Sequence, residues 1–341
     1  MRRFKTAGAS RQPPALKTAA REASLCLRAV THIMPELELN TLLKTMSDPK
    51  KAVADAEAAY HNRVAEVADR IVGDGVRVVM LAGPSSSGKT TSANLIADAI
   101  RARGEAALVV SLDNFYRNAD DPTYPRLEGG ERDLEHPEAL DISLIHKTLA
   151  DIIAGRDFVI PKYDFSTGMR SGETGYEAKA RQCVIIEGIH ALNPILSDLP
   201  SDEMLKLFIS VSTNIESGGD RLISGKKIRF IRRVVRDNLY RGMSAMRTLS
   251  VWESVLDGER KYLYPYRDRA DIYFDTFHSF ELSVMKPFAD ALITPEVVER
   301  SPYAEVVHGI LRCIPAMDID LIPEDSLIRE FIPGGIYESI T

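Results

Sequence analysis

One nine-residue stretch constrains the fold of this chain more than any other: Gly83-Pro84-Ser85-Ser86-Ser87-Gly88-Lys89-Thr90-Thr91. It fits the G-x-x-x-x-G-K-[ST] pattern, whose glycines let backbone N–H groups curl around a phosphate. A β-branched apolar run at 76–82 precedes it and predicts a buried parallel strand. Apolar residues at helical spacing follow it and predict a helix up to Gly104. A Gly/Ser-rich turn without a ligand is the alternative, and the flanking elements favour a nucleoside triphosphate site.

Within this loop each residue type has a predicted role. Lys89 would reach the β- and γ-phosphates, and the Thr90 hydroxyl would bind Mg²⁺. The dipole and free N–H groups of the following helix would face the same anion. The predicted nucleotide-binding set is Gly83, Ser85, Ser86, Ser87, Gly88, Lys89, Thr90 and Thr91.

Composition limits the classes of partner. The 341 residues can form one large domain with appendages or two domains, and the net charge of −6 gives no overall attraction to nucleic acid or acidic membranes. Cys26, Cys183 and Cys313 are scattered and predict neither a disulfide framework nor a metal site. No apolar run approaches the roughly 20 residues that span a bilayer. We therefore expect a cytoplasmic protein without a membrane partner. Nucleic acid is a disfavoured ligand, and assembly into a homo-oligomer is possible.

The first 34 residues are basic, and six Lys or Arg residues precede the first acid, Glu22. This composition resembles a mitochondrial transit peptide, which would change the expected location. The alternatives are a disordered basic tail, or an upstream start codon with the working protein beginning near Met34. From Ala52 to Ile71 the apolar residues advance by three or four, which predicts an amphipathic helix.

Acidic residues follow two predicted strands. The apolar run at 107–112 makes a strand–helix–strand unit with the phosphate loop, so the fold class is α/β with a parallel sheet. Asp113 comes directly after it, where an open parallel sheet binds ligands, and could accept a proton from an attacking hydroxyl or help to hold Mg²⁺. Glu187 ends the run 183–186 and is of the Walker B type, directed at Mg²⁺. The alternatives are a turn-capping Asp and a buried strand that happens to end on an acid.

Residues 118–141 are polar and rich in turn formers, which predicts a surface loop that could cover a substrate. The segment 221–247 concentrates basic residues, and Arg229, Arg232, Arg233 and Arg236 share one helical face. This face has three interpretations: a solvated surface, a nucleic-acid patch, or a lid whose guanidinium groups approach the transferred phosphoryl group. The phosphate loop and the two acids favour the lid.

In this order, the segments resemble the uridine kinase and phosphoribulokinase family of P-loop kinases. The matching stretches are GPSSSGKTT at 83–91, SLDNFYR at 111–117, DLEHPEALD at 133–141, PKYDF at 161–165, VIIEGI at 184–189 and RRVVRDNLYRG at 232–242. The resemblance covers about residues 76–275 and implies a three-layer P-loop fold with an Arg-rich helical lid. Trp252, Gly258-Glu259, Tyr264-Pro265-Tyr266 and the tail at 328–331 resemble the bacterial uridine-kinase-like "nucleoside kinase" branch. That branch often carries a threonyl-tRNA-synthetase-like amino-terminal half, for which we expect no room here.

The resemblance implies roles for individual residues. Asp113 would be the general base, and Thr90, Asp113 and Glu187 would surround Mg²⁺. The catalytic set is Asp113 and Lys89 together with the lid arginines Arg233, Arg236 and Arg241. The substrate set is Tyr116, Arg117, Glu135, His136, Tyr163 and Arg170.

Three positions depart from the uridine kinase pattern. The histidine that contacts the pyrimidine in Tyr-Asp-Phe-x-x-His-x-Arg is Gly168 here, the pocket Asp is Glu135, and the lid's Arg-Gly-Arg is Arg241-Gly242-Met243. The residues that the pattern uses for phosphotransfer are present in this chain, whereas those that recognise the base are replaced. We therefore predict a kinase whose acceptor is not fixed to uridine.

The resulting prediction is an ATP- and Mg²⁺-dependent kinase acting on an alcohol of a small metabolite, a nucleoside or a sugar-like polyol. Its expected parts are a flexible extension at 1–50, a kinase domain at 51–300 and a helical tail at 301–341 docked on that domain. Two other functions remain: a nucleotide-dependent switch that hydrolyses ATP slowly, and an RNA-associated module that uses the basic helix.

Overall fold

The computed structural model describes residues 35–199 and 202–337. Its strands are β1 (Glu36–Glu38), β2 (Val78–Ala82), β3 (Ala106–Ser111), β4 (Phe158–Asp164), β5 (Met169–Tyr176), β6 (Gln182–Glu187), β7 (Met204–Ser210), β8 (Asn214–Ser217), β9 (Asp220–Ile223) and β10 (Ile272–Asp275). Its helices are α1 (Leu39–Thr45), α2 (Pro49–Asp74), α3 (Lys89–Ala102), α4 (Ile142–Ile153), α5 (Pro194–Ser197), α6 (Gly225–Arg241), α7 (Ala245–Tyr262), α8 (Glu281–Leu292), α9 (Pro295–Glu299) and α10 (Pro302–Cys313).

Five parallel strands form the central sheet, in the order β10-β7-β2-β6-β3. The side chains of β2 alternate between two cores: Val79 and Leu81 pack with α2, α3 and α6, whereas Val78 and Met80 pack with α4. Helices cover both faces of this sheet. Because successive side chains of a strand point to opposite faces, a strand that is buried on both faces has a nearly continuous apolar sequence. The predicted three-layer α/β fold is confirmed.

Helix α2 extends the predicted 52–71 helix by a few residues at each end. Asp48 caps it by accepting a hydrogen bond from the Lys51 N–H, and Gly75 ends it in the left-handed conformation at φ 68°. The predicted flexible extension at 1–50 overlaps ordered structure, because β1 pairs with β8 and Leu42 of α1 is buried. Residues 1–34, with the transit-peptide and tail interpretations, lie outside the described residues. No helix in 35–199 or 202–337 is long and apolar enough to cross a bilayer.

Two small sheets were missed from the sequence. Strands β4 and β5 form an antiparallel hairpin beside the loop at 118–141, and β1, β8 and β9 form a three-stranded sheet. Their strands are short or partly exposed, so they lack the long apolar runs of the central sheet.

The arginine-bearing helix α6 packs into the protein. Its apolar residues Ile228, Phe230, Ile231, Val234 and Val235 are all buried, and so are Arg229 and Arg232. The protein covers both the apolar face and the arginine face of this helix. Because a buried charge is costly unless it is paired, the arginines require buried acids as partners. These acids come from α7 and α8, and they determine the geometry of the site.

Candidate active site

The phosphate loop lies at the carboxyl end of β2 and leads into α3, as its motif predicts. Gly88 begins α3 with a φ of 85°, and Ser86 has a φ of 57°. A Cβ atom at Gly83 would lie 2.8 Å from Ser87 Oγ, and one at Gly88 would lie 2.6 Å from Leu327 Cδ1. Both glycines are therefore required by close packing, and Gly88 also by its backbone conformation.

Two buried ion pairs hold this loop from outside. Arg229 donates to both Glu259 oxygens at 2.7 and 2.9 Å and to the Ser85 carbonyl at 2.8 Å. Glu259 in turn accepts the Ser85 N–H at 2.9 Å. Both partners are buried, with 1% and 0% of their side chains exposed. Because each partner also bonds the backbone of Ser85, the pair fixes the loop as well as neutralising its own charge.

The second ion pair lies beside the first. Arg232 Nε donates to Glu281 at 2.6 Å, and its Nη2 donates to the Thr276 carbonyl at 2.8 Å. The Thr276 hydroxyl donates to the Ser87 carbonyl at 2.8 Å. Carbonyls of the loop are thus bound by outside donors, while the N–H groups of Ser85 and Ser87 bond Glu259 and the Pro84 carbonyl.

The carboxy-terminal residues contact the start of α3. Glu330 accepts from the Thr91 hydroxyl at 2.7 Å and from the Thr91 N–H at 3.3 Å. Leu327 lies against Gly88, and the Phe331 ring lies 4.9 Å from the Arg232 guanidinium carbon. Thr91 is in the predicted nucleotide-binding set, and in this structure its donors bond a carboxylate of the same chain.

Other residues of the predicted nucleotide set have polar groups available. Among the residues that the structure describes, Lys89 Nζ donates only to the Pro84 carbonyl, at 3.1 Å. The hydroxyls of Ser86 and Ser87 are buried without a hydrogen-bond partner among the described residues. Buried polar groups are normally hydrogen-bonded. These hydroxyls, the lysine and the N-terminus of α3 fit a polyphosphate chemically.

Asp113 and Glu187 meet at the same edge of the sheet. Glu187 ends β6, in register with Ser111 of β3, and Asp113 follows β3 in a 3₁₀ turn. Burial raises the pKa of Glu187 to about 7; the Lys89 charge opposes this rise and Asp113 adds to it. The Asp113 side chain opens to solvent, but the protein crowds the surrounding cleft. This desolvation raises the pKa of Asp113, and the charges of Lys89 and Arg241 oppose the rise.

The three predicted lid arginines gather around one buried acid, Asp237. Arg233, Arg236 and Arg241 lie 3.2, 2.8 and 3.4 Å from its carboxylate oxygens. Arg233 also donates to the Ser85 hydroxyl at 2.7 Å. Since one carboxylate faces three guanidinium groups, the cluster keeps excess positive charge on the side of the phosphate loop.

The predicted acceptor side contains Tyr116, Tyr163 and Glu135. The rings of Tyr116 and Tyr163 lie 5.4 Å apart. Burial raises the pKa of Tyr116, and the Asp113 charge adds to this effect. Burial also raises the pKa of Glu135, against the opposing charge of Arg233. These three side chains therefore share an electrostatic environment with the predicted base and one predicted lid arginine.

Arg117, His136 and Arg170 serve the protein's own structure. Arg117 Nε donates to the Glu138 carbonyl at 3.0 Å, and His136 Nδ1 accepts the Glu138 N–H at 3.1 Å. Arg170 pairs with Asp141 at 3.1 Å and donates to the Tyr116 carbonyl, also at 3.1 Å. These bonds hold the loop at 118–141 and the turn after Asp113.

Sequence reasoning missed the supporting acids Glu259, Glu281 and Glu330. Each contacts the phosphate loop or its arginines from a distant part of the chain. Only Glu259 and Glu330 stood within stretches that the resemblance singled out, and no local signal links them to the loop. Thr276 was missed for the same reason.

A phosphate loop at the end of a parallel strand, with acids after the neighbouring strands and arginines on a packed helix, defines a P-loop kinase. Mg²⁺ is the metal usual for this class. In the described part of the chain no group of three or more His, Cys, Asp or Glu side chains is arranged to hold a metal. Thr90, Asp113 and Glu187 are oxygen donors of the kind Mg²⁺ takes one or two at a time beside phosphates.

Comparison with known families supports the same class. Residues 78–283 match the model of the Phosphoribulokinase / Uridine kinase family. More than half of the chain lies in this match, so the protein belongs to that family. ATP and a small-molecule acceptor are the substrates that membership implies, usually with Mg²⁺.

Individual relatives agree with the family match. The chain is 32% identical over 202 residues to the uridine kinase of Borrelia hermsii, covering 58% of this chain and 85% of that protein. It is 34% identical over 167 residues to the uridine kinase of Schizosaccharomyces pombe, covering 49% of this chain and only 33% of that protein. Among solved structures, the phosphoribulokinase of Rhodobacter spheroides is 15% identical with a TM-score of 0.38, covering 58% of this chain and 68% of that chain.

Proposed function

We propose that this protein transfers the γ-phosphoryl group of ATP to a hydroxyl group of a small alcohol. One observation carries the proposal: Asp113 follows β3, on the far side of β6 from the strand that carries the phosphate loop, and the charges of Lys89 and Arg241 act on its carboxyl. A carboxylate between the loop and an open cleft can bind a substrate hydroxyl, while the cations on either side face the phosphates.

In the proposed reaction, Asp113 accepts the hydroxyl proton as the acceptor oxygen attacks the γ-phosphorus in line. A new oxygen–phosphorus bond forms, and the bond to the ADP oxygen breaks. Lys89 and the arginines around Asp237 stabilise charge on the transferred group and on ADP. The raised pKa of Asp113 makes its carboxylate a stronger base than an ordinary aspartate.

The proposed nucleotide contacts are the loop's N–H groups with Lys89, Ser86 and Ser87. For magnesium, the proposed donors are Thr90, Asp113 and Glu187. Mg²⁺ bound with the phosphates offsets their negative charge. Arg233, Arg236 and Arg241 are the proposed transition-state arginines, and Tyr116, Tyr163 and Glu135 the proposed acceptor pocket.

The test is ADP release with ATP and Mg²⁺ against nucleosides, pentoses, polyols and sugar phosphates, with a control lacking acceptor. We expect ADP release to depend on an acceptor and the variant Asp113→Asn to lose about 100-fold or more in turnover. ATP affinity should change little, because Asp113 is not part of the loop. Asp120→Asn, an exposed acid of the following loop, is the matched control and should keep full activity.

Two results would contradict the proposal. Unimpaired turnover in the Asp113→Asn variant would remove Asp113 from the mechanism. Slow ADP release at the same rate with every acceptor and with none would indicate an ATP-hydrolysing switch.

A further inference from the structure

An open cavity of about 430 Å³ lies within the loop at 118–141, which supplies all of its lining residues. It is lined by Ala119, Arg126, Glu131, Arg132 and Leu134. None of these residues is in the predicted substrate set. Two of the five lining side chains are guanidinium groups; Arg126 and the only acid, Glu131, are exposed to solvent, and Arg132 is half-buried.

Two donors beside this cavity lack partners. Arg132 Nη1 and Tyr124 Oη are buried without a hydrogen bond among the described residues. The Arg132 guanidinium carbon lies 5.6 Å from the centre of the Tyr124 ring. Within 35–199 and 202–337 neither Arg126 nor Arg132 forms an ion pair, although Arg126 Nη1 donates to the Gly130 carbonyl at 2.8 Å. Leaving a buried donor unpaired is unfavourable, so we expect a ligand that accepts hydrogen bonds here.

The cavity adjoins the proposed acceptor pocket through Gly168. A Cβ atom at Gly168 would lie 3.3 Å from Arg132 Nη1, 3.0 Å from Ala119 Cβ and 3.7 Å from Tyr163 Oη. The φ of Gly168 is also 70°, which disfavours a side chain. Arg132 and Ala119 thus crowd the position at which the uridine kinase pattern has its base-contacting histidine. The Tyr163 ring lies 5.4 Å from the Tyr116 ring, and the Asp113 charge acts on Tyr116. These two rings therefore connect Gly168 with the predicted base.

We propose that this cavity binds an anionic group of the acceptor, so that the substrate is an alcohol carrying a phosphate or a carboxylate at the end remote from the reacting hydroxyl. Arg132 is the principal ligand, with Arg126 and the Tyr124 hydroxyl beside it. Guanidinium groups bind phosphate and carboxylate oxygens through two parallel hydrogen bonds, which an uncharged sugar or base cannot fully replace. The inference rests on the proposed phosphotransfer.

The experiment compares matched acceptors: a pentose, its 5-phosphate, the corresponding aldonic acid, and a nucleoside. ADP release is measured for the wild type, Arg132→Gln, Arg132→Lys and the exposed control Arg312→Gln. We expect kcat/KM for one anionic acceptor to exceed that for the uncharged pentose at least tenfold. Arg132→Gln should raise KM for that acceptor about tenfold or more, with kcat changed far less. The KM of Arg132→Lys should lie between those of the wild type and Arg132→Gln, and the KM of Arg312→Gln should equal that of the wild type.

The values of kcat/KM for the pentose 5-phosphate and for the aldonic acid decide whether the site prefers a phosphate or a carboxylate. Preference for the nucleoside or the free pentose, or an unchanged KM in Arg132→Gln, would overturn the inference while leaving the phosphotransfer intact.

A calorimetric arm separates the inference from the proposed function. Binding of the pentose phosphate and of the aldonic acid is measured with the phosphate loop saturated by ADP. If no acceptor supports turnover but one of them binds and Arg132→Gln abolishes that binding, the phosphotransfer fails and the anion site stands. Absent binding, or equal binding by both proteins, would refute the anion site. Thermal melting checks that each variant is folded.

Discussion

Removing one partner of the buried pair of Arg229 and Glu259 should cost a large share of the stability of this fold. In Glu259→Gln the amide oxygen can still accept the Ser85 N–H, but Arg229 keeps a charge that is now unpaired. Removing one partner of a buried ion pair costs about 3–5 kcal/mol, against a total stability on the order of 5–15 kcal/mol. We expect the variant to fold, with a much lower urea midpoint.

The molecule contains its own probe for this measurement. Trp252 is the single tryptophan, is buried, and has its ring 5.7 Å from the Arg229 guanidinium carbon. Urea unfolding followed by its fluorescence should show a loss of about 3–5 kcal/mol in Glu259→Gln. The exposed neighbour Glu253→Gln on the same helix should change by less than about 0.5 kcal/mol.

A double variant tests whether the pair serves stability or the loop. Arg229→Met with Glu259→Met removes both charges and should recover most of the lost stability, because no buried charge remains unpaired. Nucleotide affinity should stay low, since the Ser85 backbone has lost both partners. A loss below about 1 kcal/mol in Glu259→Gln, or normal nucleotide affinity in the double variant, would refute this reasoning.

Two further predictions concern the same region. Gly88→Ala should weaken nucleotide binding at least tenfold, because a left-handed alanine costs about 1–2 kcal/mol and its methyl group would meet Leu327. Adding Leu327→Ala should recover stability but not affinity; unchanged ATP binding in Gly88→Ala, measured by calorimetry, would contradict it. Burial raises the pKa of Glu57 from 4.5 to about 7, so the folded state binds this proton more tightly and stability falls as pH rises from 4.5 to 7. Glu57→Gln should therefore gain up to about 3 kcal/mol over the wild type at pH 8 and little at pH 5 in urea unfolding. The exposed Glu66→Gln should show no such difference.

Local patterns predicted three strands of the central sheet, β2, β3 and β6, because each contains a continuous apolar run. The phosphate loop, the strand β2 before it and the acids after β3 and β6 were located from sequence within one or two residues. In these elements propensity, periodicity and topology agree. The hairpin of β4 and β5 escaped because its second strand carries alternating polar residues and two glycines, which suggest a loop.

Long-range partners of the site could not be predicted. The arginine spacing on α6 correctly indicated one face, but it did not indicate that Arg229 and Arg232 pair with Glu259 and Glu281 beside the loop. Those acids lie on other helices, 30 and 49 residues away along the chain. Helical periodicity reports which residues share a face and carries no information about which distant element covers it.

The contact between Glu330 and Thr91 has a consequence for the order in which the molecule is made. The two residues are 239 positions apart. At about 5–20 residues per second, the amino-terminal turn of α3 waits about 10–50 seconds of translation before its cap is synthesised. During that interval the Thr91 donors and the Leu327 side of Gly88 are open, and a closure over so long a loop comes late in folding. The phosphate loop thus leaves the ribosome well before the residues that complete its packing.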